Sequence, residues 1–240
     1  MAEYQYINVL GKKVRYFKKG RGRPIVFVHG WGGTIESLKP LANLLAENFQ
    51  SIVIELPGFG QSDPPDKDWG VEEYAQLVRE IIQKLKLNQI IYFGHSFGGG
   101  LGIFLAAQQP SIIEKLILCN SSFKREVRRS RLAKFFRSTP RQIKLLIYKI
   151  FFPSSDLAKF PHLENNFRKI VVTDLTKYLP KIKSPTFILW GENDEITPLG
   201  LAYELKEKIR QSRLKIFSKE KHNLPLKSPQ LVYNEVRKFL

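Results

Sequence analysis

The stretch Gly94-His95-Ser96-Phe97-Gly98 follows the run Gln89-Ile90-Ile91-Tyr92-Phe93 and precedes a second apolar stretch, residues 101–107. A strand, a glycine-flanked serine and then a helix are typical of a nucleophile elbow, a strained turn that presents the serine hydroxyl above a sheet. Side chains two positions before and after the serine would collide with the neighbouring helix and strand, so glycine is needed there. Ser96 is therefore the candidate nucleophile, although this motif alone also occurs in turns without chemistry.

Length and composition are those of one globular unit. The chain has 240 residues, of which 43% are hydrophobic, and no apolar run approaches the roughly 18 residues that span a bilayer. The first residues lack the charged and apolar regions of a secretion signal. Cys119 is the single cysteine, so an internal disulfide is impossible. These features favour a cytoplasmic protein.

The formal net charge of +17 is unevenly distributed. Between Lys124 and Lys169 there are 13 lysines and arginines against three acidic residues. Such a segment could bind an acidic carrier protein or an anionic surface, or it could reflect only a basic overall composition. Nucleic acid is an unlikely partner, because the charge is scattered over helical segments and no recognised nucleic-acid motif is present.

Short β-branched and aromatic runs alternate with stretches of helical periodicity. This alternation predicts a parallel sheet with helices on both faces, preceded by a hairpin over residues 4–17. The pattern is interrupted between residues 123 and 178, where only helical spacing and dividing prolines are found. We therefore predict a core formed by residues 1–122 and 179–240, with a helical basic lid, residues 123–178, inserted in it.

A serine hydroxyl needs a neighbouring base, and that base needs a carboxylate to hold it. Of the four histidines, His222 is the best candidate base, since it follows the last predicted strand at the carboxyl edge of the sheet. Asp194 is the candidate acid, in the loop between the strand ending near Trp190 and the next helix. The resulting order of serine, acid and histidine is the one expected for this architecture.

Two fixed hydrogen-bond donors are expected to stabilise the oxyanion that forms on attack at a carbonyl. The backbone N–H of Phe97 is one, and that of Trp31, in the glycine-rich loop of residues 29–33, is the other. His29 and Gly30 of the same loop are expected to contact substrate. Aromatic residues of the insertion suggest an apolar wall that binds the acyl group. We expect Phe135, Phe136 and Tyr148 to contact substrate there.

Taken together, the loop of residues 29–33, the segment Glu55–Ser62, the elbow, Asp194 and His222 resemble the α/β-hydrolase superfamily over essentially the whole chain. The closer resemblance is to compact carboxylesterases, a group that includes pimeloyl-acyl-carrier-protein methyl ester esterases. It implies an eight-stranded, mostly parallel sheet flanked by helices, ester hydrolysis through an acyl-serine intermediate, and no cofactor or metal. The sequence departs from the usual pattern at Lys221, at Lys227 and at Glu55, none of which removes a catalytic group.

Other activities share the same three groups. Dehalogenases and epoxide hydrolases are disfavoured, because they carry an aspartate where this chain has Ser96. Carbon–carbon bond hydrolases and haloperoxidase-like perhydrolases also use a serine triad, so both remain alternative functions. A non-catalytic ligand receptor on a hydrolase scaffold is a further alternative, which the intact triad argues against.

Overall fold

The protein is described from a computed structural model, which defines residues 3–124 and 159–240. The strands are β1 (Tyr4–Val9), β2 (Lys12–Lys19), β3 (Pro24–Val28), β4 (Gln50–Ile54), β5 (Ile90–His95), β6 (Ile113–Cys119), β7 (Thr186–Gly191) and β8 (Ser212–Phe217). The α-helices of the described residues are α1 (Lys39–Leu45), α2 (Val71–Lys84), α3 (Phe97–Gln108), α4 (Glu164–Val171), α5 (Gly200–Lys208), α6 (Leu224–Lys227) and α7 (Pro229–Phe239). Short 3-10 turns cover Ile35–Ser37, Pro161–Leu163 and Thr176–Lys181.

The strands form one eight-stranded sheet in the order β1-β2-β4-β3-β5-β6-β7-β8. The first two strands make an antiparallel hairpin, and β2 pairs antiparallel with β4. All other pairings are parallel, from β4 through β3, β5, β6 and β7 to β8. The predicted mostly parallel α/β-hydrolase sheet is thus confirmed.

Both faces of the sheet are buried, which explains the continuous apolar runs of the central strands. In β3, Val26 and Val28 belong to one apolar cluster, whereas Ile25 and Phe27 belong to the other. The first cluster includes residues of α2, α3 and α5, and the second includes residues of α1 and α7. This layering brings the carboxyl ends of β3, β5, β7 and β8 to one edge, where the candidate site residues lie.

The chain between β6 and β7 contains the predicted insertion. Its described part holds a 3-10 turn, α4 and a second 3-10 turn, and no strand. The proposed boundaries at residues 122 and 179 stay a prediction. Among the residues described, no helix combines the length and apolar character needed to cross a membrane.

Candidate active site

Ser96 occupies a strained turn between β5 and α3. Its φ of 51° and ψ of −117° lie in a region that residues other than glycine rarely adopt. The turn is held from both sides: the Ser96 N–H donates to Cys119 O at 3.0 Å, and Ser96 O accepts from the N–H of Ser122 at 3.0 Å. The strain therefore persists in a well-anchored backbone, and the Ser96 side chain borders a cavity.

Close backbone approach explains the two glycines of the elbow. A Cβ atom on Gly94 would lie 2.5 Å from Gly98 O in α3, and one on Gly98 would lie 2.1 Å from Val28 O at the end of β3. Both distances are far shorter than any van der Waals contact. The side chain of a larger residue at either position would push the helix or the strand away from Ser96.

His222 and Asp194 meet although they lie in different loops. The His222 Nδ1 atom is 2.8 Å from Asp194 Oδ2. Because an ionised carboxylate only accepts, Nδ1 carries the proton, which leaves Nε2 with its lone pair as a base. The Asp194 side chain is fully buried and that of His222 is 11% exposed, so little water competes for this bond.

Asp194 accepts several further hydrogen bonds. Oδ2 also accepts from Thr197 Oγ1 at 2.6 Å and from Asn120 Nδ2, and Oδ1 accepts from the N–H groups of Ile196 and Thr197 at 2.8 and 2.9 Å. Burial alone would raise the pKa of this carboxyl group. The hydrogen bonds from His222 and Thr197 outweigh burial and lower the pKa below its usual value, which keeps Asp194 ionised.

Within the described residues, the hydrogen bonds of the His222 ring all involve Nδ1. Within residues 3–124 and 159–240 its hydrogen-bonding atoms are Asp194 Oδ2 and Thr197 Oγ1, the latter 3.3 Å from Nδ1. No hydrogen bond joins Nε2 to Ser96 Oγ in this structure. Such bonds are often long in ligand-free active sites and shorten when substrate binds.

The backbone N–H groups of Phe97 and Trp31 lie near the serine. Phe97 is the first residue of α3, and Trp31 follows β3 in the glycine-rich loop. Neither N–H donates a hydrogen bond within the part of the chain that the structure describes. The loop lies directly against the nucleophile turn, since a Cβ on Gly30 would be 2.9 Å from Ser96 Cβ. Both residues line the same cavity as Ser96.

His29 is buried and is not among the residues that line the described cavity, so its expected contact with substrate stays a prediction. Its ring is fully buried, Nε2 accepts from the N–H of Leu56 at 3.0 Å, and Nδ1 lies 2.8 Å from Gly30 O. Burial lowers its pKa to about 4, so the ring is neutral at pH 7. His29 and Gly30 thus shape the backbone of the loop that carries Trp31.

His95 contacts the loop of the candidate base. Its Nε2 atom lies 2.8 Å from the carbonyl oxygen of His222, and a carbonyl oxygen can only accept, so this nitrogen carries the proton. Burial, and next the nearby His222, lower the pKa of His95 to about 3. His95 is therefore a neutral hydrogen-bond donor to the backbone carbonyl group of His222.

The cavity beside Ser96 has a volume of about 390 Å³ and a wall of mixed polarity, in which Ser122, Lys124 and Thr173 are among the polar residues. Its walls include Trp31, Phe97, Phe123, Leu175 and residues 167, 170 and 171 of α4. Trp31 packs against three phenylalanines, Phe59, Phe97 and Phe167, with ring centroids 5.0, 5.9 and 5.4 Å away. α4 thus brings part of the insertion over the serine. Phe135, Phe136 and Tyr148 lie outside the described residues.

Sequence reasoning missed several members of this site. Thr197 and Asn120 support Asp194, and Phe167 of α4 contributes to the cavity wall. A polar residue directly after a buried strand is the signal available for Asn120. Nothing in local periodicity identifies Thr197 or Phe167.

Comparison with known proteins decides the family. The profile of the family described as "alpha/beta hydrolase fold" matches residues 23–145 and 162–229. The chain belongs to the α/β-hydrolase family. It is a hydrolase, and the expected superfamily membership is confirmed.

Relatives match along almost the whole length. The AB hydrolase superfamily protein YisY of Bacillus subtilis (strain 168) is 29% identical and the alignment covers 92% of each chain. The hydrolase YugF of the same organism is 24% identical over 94% of this chain and 92% of its own. A solved meta-cleavage product hydrolase from Pseudomonas fluorescens IP01 is 20% identical, with a TM-score of 0.79 and coverage of 98% and 96%. At that identity the structural likeness concerns the fold.

Proposed function

We propose that this α/β-hydrolase cleaves a carboxylic ester through an acyl-serine intermediate. The observation that carries the proposal is the 2.8 Å contact between His222 Nδ1 and Asp194 Oδ2, at the sheet edge where Ser96 borders a cavity. A histidine held in this tautomer presents Nε2 as the base for a serine hydroxyl. The backbone N–H groups of Trp31 and Phe97, which have no partner among the described residues, are the donors proposed for the oxyanion.

In the first half-reaction, His222 Nε2 takes the proton of Ser96 Oγ while that oxygen attacks the ester carbonyl. The negative charge that develops on the carbonyl oxygen is stabilised by the N–H groups of Trp31 and Phe97. When the ester C–O bond breaks, the departing oxygen takes the proton from His222 and leaves as an alcohol. Asp194 stabilises the imidazolium that exists between these two transfers.

In the second half-reaction, water gives a proton to His222 and attacks the acyl carbon. The bond to Ser96 Oγ then breaks, the serine regains its proton from His222, and the carboxylic acid departs. No electron transfer is involved, so the reaction needs only the ester and water.

The apolar part of the cavity wall supports an apolar acyl group. Trp31, Phe97, Phe123, Phe167 and Leu175 contribute aromatic and aliphatic surface to the cavity of about 390 Å³ next to Ser96. Each Å² of apolar acyl surface that is buried against this part of the wall stabilises binding by about 25 cal/mol. We retain compact carboxylesterases as the predicted subgroup within the family.

Binding of an acidic carrier or anionic surface by the insertion stays a prediction, since residues 125–158 lie outside the described ranges. Three cations of the described part already contact acids within the chain. Lys124 pairs with Glu204 at 2.5 Å, Arg168 with Glu164 at 2.8 Å and Lys169 with Glu73 at 3.2 Å. These three side chains therefore contribute little free charge to a partner.

Hydrolysis of p-nitrophenyl esters of increasing acyl length tests the proposal, with Ser96→Ala and the matched control Ser122→Ala. Ser122 lines the same cavity but lies outside the proposed mechanism. We expect Ser96→Ala to lose roughly a thousandfold or more in kcat, whereas Ser122→Ala stays within about threefold of the parent. Retained activity in Ser96→Ala, or turnover of carbon–carbon substrates but of no ester, would overturn the proposal.

A further inference from the structure

A second cavity is lined by His222. It has a volume of about 460 Å³, and we call it the His222 groove, defined by Glu195, Ile196, Lys219, Glu220, Lys221, His222 and Lys227. Glu195 and Ile196 also line the Ser96 cavity, so the two cavities adjoin each other at these two residues.

Three lysines and two glutamates line the groove, so its net formal charge is +1. The side chains of Lys219, Lys221 and Lys227 are exposed, and none forms an ion pair with a carboxylate in the part of the chain that the structure describes. One of the two acids, Glu220, accepts a hydrogen bond at Oε1 from Ser228 Oγ at 2.7 Å and keeps its negative charge. Glu195 stands at the junction of the two cavities.

The loop that carries Lys219 and Lys221 is held against the loop of Asp194. Glu192 Oε2 accepts from Ser218 Oγ at 3.0 Å and from the N–H of Lys219 at 3.3 Å, and Asn193 N–H donates to Glu220 O at 2.9 Å. Lys219 has a φ of 64°, a left-handed conformation that these contacts stabilise. The two lysines therefore project from a backbone that is fixed relative to His222.

We infer that the His222 groove binds an anionic group, a carboxylate or a phosphate, on the leaving alcohol of the substrate. This inference rests on the proposed function. The leaving oxygen takes its proton from His222, so the alcohol lies on the His222 side while the acyl group occupies the Ser96 cavity. Lys221 directly precedes His222, and its charge would attract an anion on that alcohol. The ester selected is thus apolar in its acid part and anionic in its alcohol part.

Three chromogenic esters with one acyl group test the inference. Their alcohols are 4-hydroxy-3-nitrobenzoate, 4-hydroxy-3-nitrophenyl phosphate and the neutral 4-hydroxy-3-nitrobenzamide. We expect a higher kcat/KM for at least one anionic ester than for the carboxamide, by roughly tenfold at low salt, and a ratio that falls as KCl screens the lysines. The larger of the two anionic preferences identifies which anion is recognised.

The variant Lys219→Gln/Lys221→Gln/Lys227→Gln is compared with Lys86→Gln/Lys183→Gln/Lys208→Gln. The control lysines precede β5, β7 and β8, at the opposite edge of the sheet, and their removal changes the net charge equally. We expect the groove variant to bring the anionic-to-neutral ratio to about one, with the carboxamide rate within about twofold, and the control to keep the parental ratio.

Equal ratios in the two variants, or no anionic preference in the parent, would overturn the inference while Ser96-dependent hydrolysis continues. Failure of the proposed function would give a different result, namely no hydrolysis of any of the three esters, or hydrolysis that survives Ser96→Ala.

Discussion

The His95 Nε2 atom lies 2.8 Å from the carbonyl oxygen of His222, so the residue beside the candidate nucleophile is hydrogen-bonded to the backbone of the candidate base. The two are 127 positions apart in sequence. This bond ties the turn after β5 to the loop after β8. We interpret His95 as a positioning residue, which acts on catalysis through the placement of His222.

Removing the His95 donor should lower kcat, but His222 should still be able to act as the base. In His95→Leu we expect kcat to fall by about 10- to 100-fold, because small displacements of a catalytic group are costly, while KM changes little. His95→Gln, whose amide can donate to the same carbonyl, should recover part of kcat. Steady-state kinetics on one ester measures both. Equal kcat values for His95→Leu and the parent would contradict the assignment.

The hydroxyl group of Thr197 should stabilise the ionised carboxylate of Asp194. Thr197→Val keeps the shape of the side chain but removes the 2.6 Å donor to Asp194 Oδ2. A hydrogen bond to a charged group contributes about 1.5–3 kcal/mol, so we expect a lower free energy of unfolding and a kcat reduced by about tenfold. Urea unfolding and ester kinetics test both effects.

Thr173→Val is the matched control for Thr197→Val. Thr173 also lines the cavity, but its hydroxyl donates to Lys169 O and not to Asp194. It should change kcat by less than about twofold. Similar losses in the two variants would show that the cavity wall matters and the contact with Asp194 does not.

Acid should destabilise the protein through its buried histidines. The pKa of His29 is lowered to about 4 and that of His95 to about 3, mainly by burial, so both stay neutral in the folded protein at pH 5.5. The unfolded chain, with histidine pKa values near 6.5, binds more protons below that pH. Folding free energy is therefore lost as the pH falls, by about 1.4 kcal/mol per histidine between pH 7.5 and 5.5.

The variant His29→Gln isolates one histidine in this pH dependence. A glutamine can accept from the N–H of Leu56 and donate to the carbonyl oxygen of Gly30, and it does not titrate. The free energy of unfolding of this variant should therefore fall less between pH 7.5 and 5.5 than that of the parent, by about 1.4 kcal/mol. His162→Gln, at an exposed position, should keep the parental difference. Urea unfolding at pH 7.5 and at pH 5.5 measures this change in the free energy of unfolding. An unchanged pH dependence in His29→Gln would contradict the buried neutral state.

The elbow glycine Gly98 should tolerate no side chain. Alanine there would place Cβ 2.1 Å from Val28 O, and backbone on both sides must move. We expect Gly98→Ala to lower the free energy of unfolding by about 3 kcal/mol or more. Gly11→Ala, with a φ of 72° and open space around it, should cost only about 1–2 kcal/mol. Comparable losses in the two variants would contradict the close-approach explanation.

The fold was predictable because each central strand is buried on both faces and leaves a continuous apolar run. The run at residues 25–28 predicted β3, and the alternation around Gly11 predicted the β1–β2 hairpin. Helix ends are less accurate: the apolar spacing of residues 71–87 predicts a helix that reaches Leu87, whereas α2 ends at Lys84 and Lys86 adopts a φ of 53°.

The site was predictable only in part, because its supporting contacts join loops that are distant in sequence. Chain order and strand ends identify Asp194 and His222 as partners. They do not show that Thr197 and Asn120 share the Asp194 carboxylate, or that His29 turns inward to Leu56. Such contacts depend on three-dimensional placement, which local patterns do not encode.

The central claim is that Ser96 is the nucleophile, and covalent labelling tests it most directly. The parent protein is treated with a fluorophosphonate, digested and analysed by mass spectrometry. The account predicts a single adduct on Ser96, lost in Ser96→Ala, kept in Ser122→Ala and formed far more slowly in His222→Gln. An adduct on another residue, or an unmodified parent under conditions where an ester is hydrolysed, would contradict it.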